Sequence, residues 1–315
     1  MRDSTLKLPN FVCVGAGKSG TTTLYHCLRQ HPDVFLPQQK ELQYFAWPDL
    51  ERFNNGPGTA RSRDDWVKTE NAYRATYAGA PQDAAVGDIS PTYLHAPGAP
   101  ERIAALLRDV RIIIMLRDPV EKVISQYGHL RRDMREDLSL DAALDAEQGR
   151  INEKWGAIYH YVTSSRYCEA IKRYFDQFGR ENVHVILFED FVADPVSEVR
   201  GVCRFIGVRD DFDFQTDVKT NRSGAPKSAT LARAIGPNRL TSFAKSVLPR
   251  KLGVQIKTWL MDRNTGAKEP VPESTRARLR DTFATEIADL ETLLGRKTGW
   301  GDPASSPPAK HPAPD

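Results

Sequence analysis

The stretch Val12–Leu28, VCVGAGKSGTTTLYHCL, decides how this chain is read. It continues an apolar, β-forming run that stops at glycines, after which Leu24, Cys27 and Leu28 recur at helical spacing; the pattern is strand, tight loop, helix. A Walker A loop, G-x-x-x-x-G-K-[ST], places its lysine directly after the last glycine. Ending that pattern at Gly17-Lys18-Ser19 requires glycine where Val12 stands, and pairing Gly15 with Gly20 requires lysine where Thr21 stands. Neither register fits. The loop instead offers Gly15, Gly17 and Gly20 for close backbone approach to an anion, with the amides of Ser19 to Thr22 opening a helix whose dipole favours negative charge. Lys18 adds an ammonium, and Thr21 and Thr22 add hydroxyl donors. A strand before and a helix after make a phosphate-binding loop the better reading than an idle glycine-rich turn.

The same plan recurs downstream. Ile112 to Leu116 form a fully apolar strand, Asp118 is placed to cap, Pro119 suits a first helical turn, and Val120, Val123, Ile124 and Tyr127 make one helix face. A third unit runs from the helix RYCEAIKRYFDQFG, stopped by Gly179, into the strand VHVILFED, and Asp194-Pro195 opens a further helix. Continuous apolar strands alternating with amphipathic helices predict an α/β fold, a P-loop-like three-layer sandwich with a central parallel sheet flanked by helices. Ligands of such sheets sit beyond the carboxyl ends of the strands, so the loop at Gly15–Thr22 and the turn at Arg117–Ser125 converge although far apart in sequence. The last long helix, about Glu273 to Leu294, reads as packing only.

The chain has 315 residues and a net charge of +3, too nearly balanced to name a partner. It reads as one domain over residues 1–302, with a basic cofactor-covering insertion at 219–270 and a disordered Pro-rich tail at 303–315. The N-terminus MRDSTLKLPNFVCVGA has no apolar leader core, and no run of about 18 apolar residues occurs anywhere. Cys13, Cys27, Cys168 and Cys203 have no C-x-x-C spacing and read as buried free thiols. A soluble protein of the reducing cytoplasm is expected, with no metal site.

Two further constellations bear on chemistry. Arg117 presents a planar fork suited to bidentate phosphate recognition, and Ser125 lies two turns into the following helix, where a hydroxyl has no packing role. Alone, an ion pair of Arg117 with a neighbouring acid and a solvated serine would explain both. In QQKELQYFAW, Glu41 sits beside Lys40 and ahead of Tyr44, Phe45 and Trp47, where a carboxylate held at a pocket wall can take a proton from an attacking hydroxyl. Alone, a glutamate in a charged run faces solvent.

Taken together, GAGKSGTTTL, KELQYF and IIIMLRDPVEKVISQY resemble the sulfotransferases that use 3′-phosphoadenosine 5′-phosphosulfate (PAPS), most closely their heparan sulfate branch, over roughly residues 10–207. The resemblance implies that Gly17, Lys18, Ser19, Gly20, Thr21 and Thr22 hold the 5′-phosphosulfate and that Arg117 and Ser125 hold the 3′-phosphate. It implies Glu41 as catalytic base, Lys18 as the group that neutralises the departing phosphate, and adenosine 3′,5′-bisphosphate as product. In KTNRSGAPK, Arg222 and Gly224 correspond to a later nucleotide-covering loop. GDISPTYL carries Ile89 where the glycosaminoglycan enzymes place a lysine, which weakens a polysaccharide acceptor. A small-molecule, lipid or saccharide hydroxyl is expected as acceptor.

From Lys219 to Lys268 there are eleven Lys or Arg against one acid, Asp262. An anionic or amphiphilic acceptor, or transient contact with a membrane surface, could use that strip, although a solvated basic face is the commoner case. Nucleic acid is not expected, because no recognised binding module accompanies the charge. Some sulfotransferases use histidine as base; among His26, His31, His95 and His129, His31 reads as a helix cap or core residue and His129 as a surface residue, so Glu41 is preferred. Two rivals remain. A P-loop kinase or NTPase acting on ATP-Mg would use VHVILFED as a Walker B strand, with Glu189 or Asp190 on the metal. A catalytically inactive nucleotide-binding scaffold would keep the fold and bind without transfer.

Overall fold

A computed structural model of the chain describes residues 6–216 and 270–301. The order begins β1 (Phe11–Gly15), α1 (Thr21–Leu28), β2 (Val34–Phe35), then short helices α2 (Trp47–Leu50), α3 (Thr59–Ser62) and α4 (Glu70–Thr76), then β3 (Ala85–Ile89). It continues through α5 (Ala99–Leu106), β4 (Arg111–Leu116), α6 (Pro119–Arg132), α7 (Leu140–Asp145), α8 (Glu147–Asn152), α9 (Cys168–Phe178) and β5 (Val183–Leu187). α10 (Phe188–Ala193), α11 (Pro195–Ile206) and α12 (Glu273–Leu294) follow, with short 3-10 turns between some of these elements.

The five strands form one parallel sheet in the order β2-β3-β1-β4-β5. Alternation along each strand sends side chains to two cores. Val12, Val14, Ile112, Ile114 and Leu116 pack against Ile103 of α5, Val123 of α6, Ile171 of α9 and Phe283 of α12. Phe11, Cys13, Ile113 and Met115 pack on the other face against Leu24 and Leu28 of α1 and Val199 and Val202 of α11. This is the three-layer sandwich expected, with β1 and β4 adjacent at its centre.

The caps follow the side chains. Asp118 Oδ1 accepts from Val120 N at 2.8 Å and starts α6, and Asp194 Oδ1 accepts from Ser197 N at 3.0 Å and starts α11. Gly179 ends α9 with φ 78°. Two strands go beyond the three legible in sequence. β2 has only two residues, and β3 carries Gly87 and Asp88, which interrupt an apolar pattern. Gly87 is demanded by its neighbour, since a Cβ there would lie 2.1 Å from Phe11 Cζ. Asp88 is buried but accepts from Ser90 Oγ at 2.7 Å, Tyr93 OH at 2.9 Å and Tyr73 OH at 3.1 Å. Burial outweighs those bonds and pushes its carboxyl up to about 6.

Candidate active site

The β1–α1 loop and the β4–α6 turn meet at the carboxyl end of the sheet. Arg117 Nη1 donates to the main-chain oxygen of Lys18 at 3.2 Å. The Arg117 guanidinium carbon lies 4.7 Å from the centre of the Phe188 ring, and Tyr167 OH donates to Arg117 O at 2.9 Å. Gly20 turns the loop into α1 with φ 88°, and Phe188 closes its open side, 3.0 Å from where a Cβ would stand.

Lys18 is half-buried and left-handed, φ 69°, a conformation that costs a non-glycine residue roughly 1–3 kcal/mol and persists where the surroundings fix it. Burial first, then the Arg132 and Arg117 guanidiniums, pulls its ammonium down to about 8, while Asp133 and Glu41 act in the opposite direction. Lys18, Arg117 and Glu41, read from three separate motifs, are therefore electrostatic neighbours.

The loop carries donors without internal use. Ser19 Oγ is fully buried and Arg117 Nε is buried, and neither has a hydrogen-bond partner among the described residues. A phosphate oxygen would satisfy either. Thr21 is buried and Thr22 half-buried at the start of α1, and Gly17 is half-buried beside Lys18. Ser125 is half-buried on α6, two turns beyond Arg117. Arg222 and Gly224, the basic 219–268 strip and the 303–315 tail lie outside the described residues.

Glu41 is held by β3. Its amide donates to Ile89 O at 3.2 Å, and Gln43 N donates to Ser90 Oγ at 3.3 Å. Both residues are left-handed, with φ 63° and 62°. The Glu41 side chain is 45% exposed and pairs with the Lys40 ammonium. It borders a cleft of about 450 Å³ whose other lining residues are Gln39, Lys40, Ser62, Asp65 and Trp66.

The histidines divide. His31 is buried, accepting from Asp33 N at Nδ1 (3.1 Å) with Nε2 3.0 Å from Arg209 O, a core role as read. His129 departs from the surface position expected: it is half-buried beside Lys18, with Nδ1 2.9 Å from Arg132 Nη2 and Nε2 3.6 Å from Asp133. Burial and the Lys18 ammonium hold its imidazole below the usual range.

The packing-only reading of the last helix is also corrected. α12 buries Leu279, Phe283, Ile287 and Leu290, yet Glu286 Oε1 accepts from Tyr167 N at 2.6 Å and Cys168 N at 2.8 Å, and Arg276 reaches Glu121 on α6. Just beyond α12, Trp300 Nε1 donates to Glu189 Oε2 at 3.0 Å, and Glu189 Oε1 accepts from Asp118 N at 3.2 Å. The apolar repeat along α12 conceals these polar contacts. Lys122 was also missed: it is 1% exposed inside α6, donating to Gln126 Oε1, Ser164 Oγ and Ser165 Oγ at 3.1, 2.9 and 3.2 Å.

Comparison with known proteins now bears on the geometry. A sulfotransferase family model matches residues 9–212. The chain is 33% identical to a crystallised sulfotransferase from Alicyclobacillus acidocaldarius, covering 93% of this chain and 98% of that one with a TM-score of 0.75. It is 32% identical over 123 residues to the membrane-associated sulfotransferase kil1 of Dictyostelium discoideum, 39% of this chain and 23% of that protein. It is 25% identical to human heparan sulfate glucosamine 3-O-sulfotransferase 5 over 66% of this chain and 56% of that protein. The chain thus spans about half the length of that human relative or less of the other curated one. Among the described residues, no helix is long and apolar enough to cross a membrane. With the three motifs brought to one end of a parallel sheet and the match extending over most of the chain, the protein belongs to the sulfotransferase family.

Proposed function

We propose that the protein is a PAPS-dependent sulfotransferase acting on an acceptor hydroxyl by in-line displacement. The observation that carries this reading is the Arg117-to-Lys18 main-chain bond, which ties a guanidinium from one βα turn to the backbone of the lysine loop from another, while Arg117 and Glu41 both act electrostatically on the Lys18 ammonium. PAPS supplies the sulfuryl group and its leaving phosphate. Ser19 to Thr22 and Lys18 hold the 5′ end, and Arg117 and Ser125 hold the 3′-phosphate, which gives the unpartnered Ser19 Oγ and Arg117 Nε their acceptors. Glu41 takes the acceptor proton, and Lys18 offsets the negative charge that develops on the bridging oxygen. Left-handed backbone at Lys18 and Glu41 fits residues held in place for reaction.

The cleft beside Glu41 suits an acceptor such as a small molecule, a lipid headgroup or one saccharide unit, with Trp66 as an apolar wall. Four free thiols support a reducing cytoplasm as the place of work. The kinase reading is weakened at both of its candidate metal ligands: Glu189 is engaged by Trp300 and the Asp118 amide, and Asp190 faces the Arg296 guanidinium at 3.7 Å.

The test is thermal stabilisation by PAPS or adenosine 3′,5′-bisphosphate against ATP-Mg, followed by incubation of the protein with sulfur-labelled PAPS and host extracts. Stabilisation by the adenosine bisphosphate and a product gaining one sulfate are expected. Stabilisation by ATP-Mg alone would favour the kinase, and tight bisphosphate binding without transfer would favour the inactive scaffold.

A further inference from the structure

Arg117 has an acid one turn ahead of it on α6, Glu121. Side chains at i and i+4 are neighbours, and an unopposed pair of opposite sign closes into a hydrogen-bonded ion pair. Here it is stretched. Arg117 Nη2 and Glu121 Oε2 form an ion pair at 3.8 Å, too long for a hydrogen bond. The other carboxylate oxygen, Oε1, is taken at 2.5 Å by Nη1 of Arg276, from the first turn of α12 and 155 residues further along the chain.

Arg276 is itself anchored. Next to it, Thr275 is buried with Oγ1 donating to Asp141 Oδ2 at 2.7 Å, and Leu279 and Phe283 set α12 into the core. Arg276 also lies outside the matched residues 9–212, so the family match does not assign it a role. At 29% and 26% side-chain exposure, the Arg276–Glu121 pair contributes little to folding stability by itself. Its effect falls on what Glu121 would otherwise do. A carboxylate and a phosphate compete for the same guanidinium fork, and a carboxylate already satisfied by a second arginine competes less.

We propose that Arg276 is a positioning residue for nucleotide binding: it holds and neutralises Glu121, so that the Arg117 guanidinium stays open to a phosphomonoester. The inference rests on the reading of Arg117 as the 3′-phosphate ligand. Arg117 keeps one nitrogen on Lys18 O and a buried Nε with no partner among the described residues, the state a waiting ligand group requires. Without Arg276, Glu121 turns to Arg117 and the nucleotide must displace it.

The experiment is calorimetric titration of the full chain with adenosine 3′,5′-bisphosphate, for wild type, Arg276→Ala, Glu121→Gln, the double variant and Arg117→Ala, with thermal midpoints measured alongside. Arg276→Ala is expected to weaken binding about tenfold, the scale of one charge-assisted contact, with the loss carried in KM for PAPS more than in kcat. Adding Glu121→Gln should restore binding, because the competitor is gone, and Arg276→Lys should retain most of it. A merely structural Arg276 would lower the midpoint and would not be rescued by Glu121→Gln. Arg276→Gln replaces the alanine variant should that one not fold. Normal binding by Arg276→Ala beside weakened Arg117→Ala overturns the inference alone, as does a well-folded double variant that stays weak. Wild type that ignores the bisphosphate, or Arg117→Ala that binds it normally, overturns the functional reading and the inference with it.

Discussion

Arg117 Nη1 and the main-chain oxygen of Lys18 are 3.2 Å apart, so the turn after β4 supports the loop after β1 directly. Arg117 thereby has two duties, one toward the nucleotide and one toward the lysine loop. Arg117→Ala is expected to weaken adenosine 3′,5′-bisphosphate binding by about 2–4 kcal/mol, roughly 30- to 1,000-fold in Kd, read by titration calorimetry. Arg117→Lys should recover little, because a point charge cannot reproduce the fork.

Lys18 sets the alkaline limb of binding. Its ammonium titrates at about 8 in the free protein, and a bound phosphosulfate favours the charged form. The Lys18 contribution to affinity should therefore be full well below pH 8 and fall as pH rises through it, with protons taken up on binding. Calorimetry at pH 9 in buffers of different ionisation enthalpy measures that uptake. Lys18→Arg should remove the limb.

Glu41→Gln keeps size and loses basicity. Turnover should drop roughly 10²–10⁴-fold, while bisphosphate affinity and thermal midpoint stay near wild type. Near-normal transfer by this variant would move the base to a histidine, and His129, half-buried next to Lys18, would be first in line.

Lys122 predicts a stability slope. Burial lowers its ammonium to about 7 from the ordinary 10.5, so between those values the unfolded chain binds a proton that the folded chain does not. The Lys122 contribution to stability therefore rises with pH through that window, the cost of the buried charge being full below pH 7 and gone above 10.5. Lys122→Met should remove that share of the pH dependence of the thermal midpoint, leaving the smaller contribution of Lys18 in the same direction and that of the buried Cys13 and Cys27 thiols, which burial raises, in the opposite one. An unchanged slope would count against a buried charge.

Gly87→Ala drives a methyl into the Phe11 ring, whose Cζ and Cε2 lie 2.1 and 2.3 Å from the new Cβ. Overpacking of this kind costs about 1–3 kcal/mol, visible as a lower thermal midpoint. Phe11→Leu in the same chain should recover part of it.

These residues also mark how far the sequence could be read. β1 and β4 were legible because parallel central strands are apolar on both faces, β5, at the sheet edge, because of its β-branched run, and α6 and α11 because Asp-Pro sets their starts. β3 was not. Its Gly87 makes sense only against Phe11, and its Asp88 only once the chain turns back after β3 to bring Ser90 and Tyr93 onto the carboxylate beside Tyr73 of α4, an arrangement that no periodicity shows. For the site, glycine spacing and the order of motifs pointed to Lys18, Arg117 and Glu41, and the fold makes them electrostatic neighbours. The left-handed backbone at Lys18, Glu41 and Gln43 and the reach of Arg276 come from tertiary contacts, which no periodicity encodes.

The indole of Trp300 ends in a bond to Glu189, whose other oxygen holds the amide that opens α6. A native fluorophore is thus coupled, through one carboxylate, to the turn that bears Arg117. Loading of the protein should be visible as a change in intrinsic emission that Trp300→Phe abolishes, giving a label-free optical gauge of occupancy.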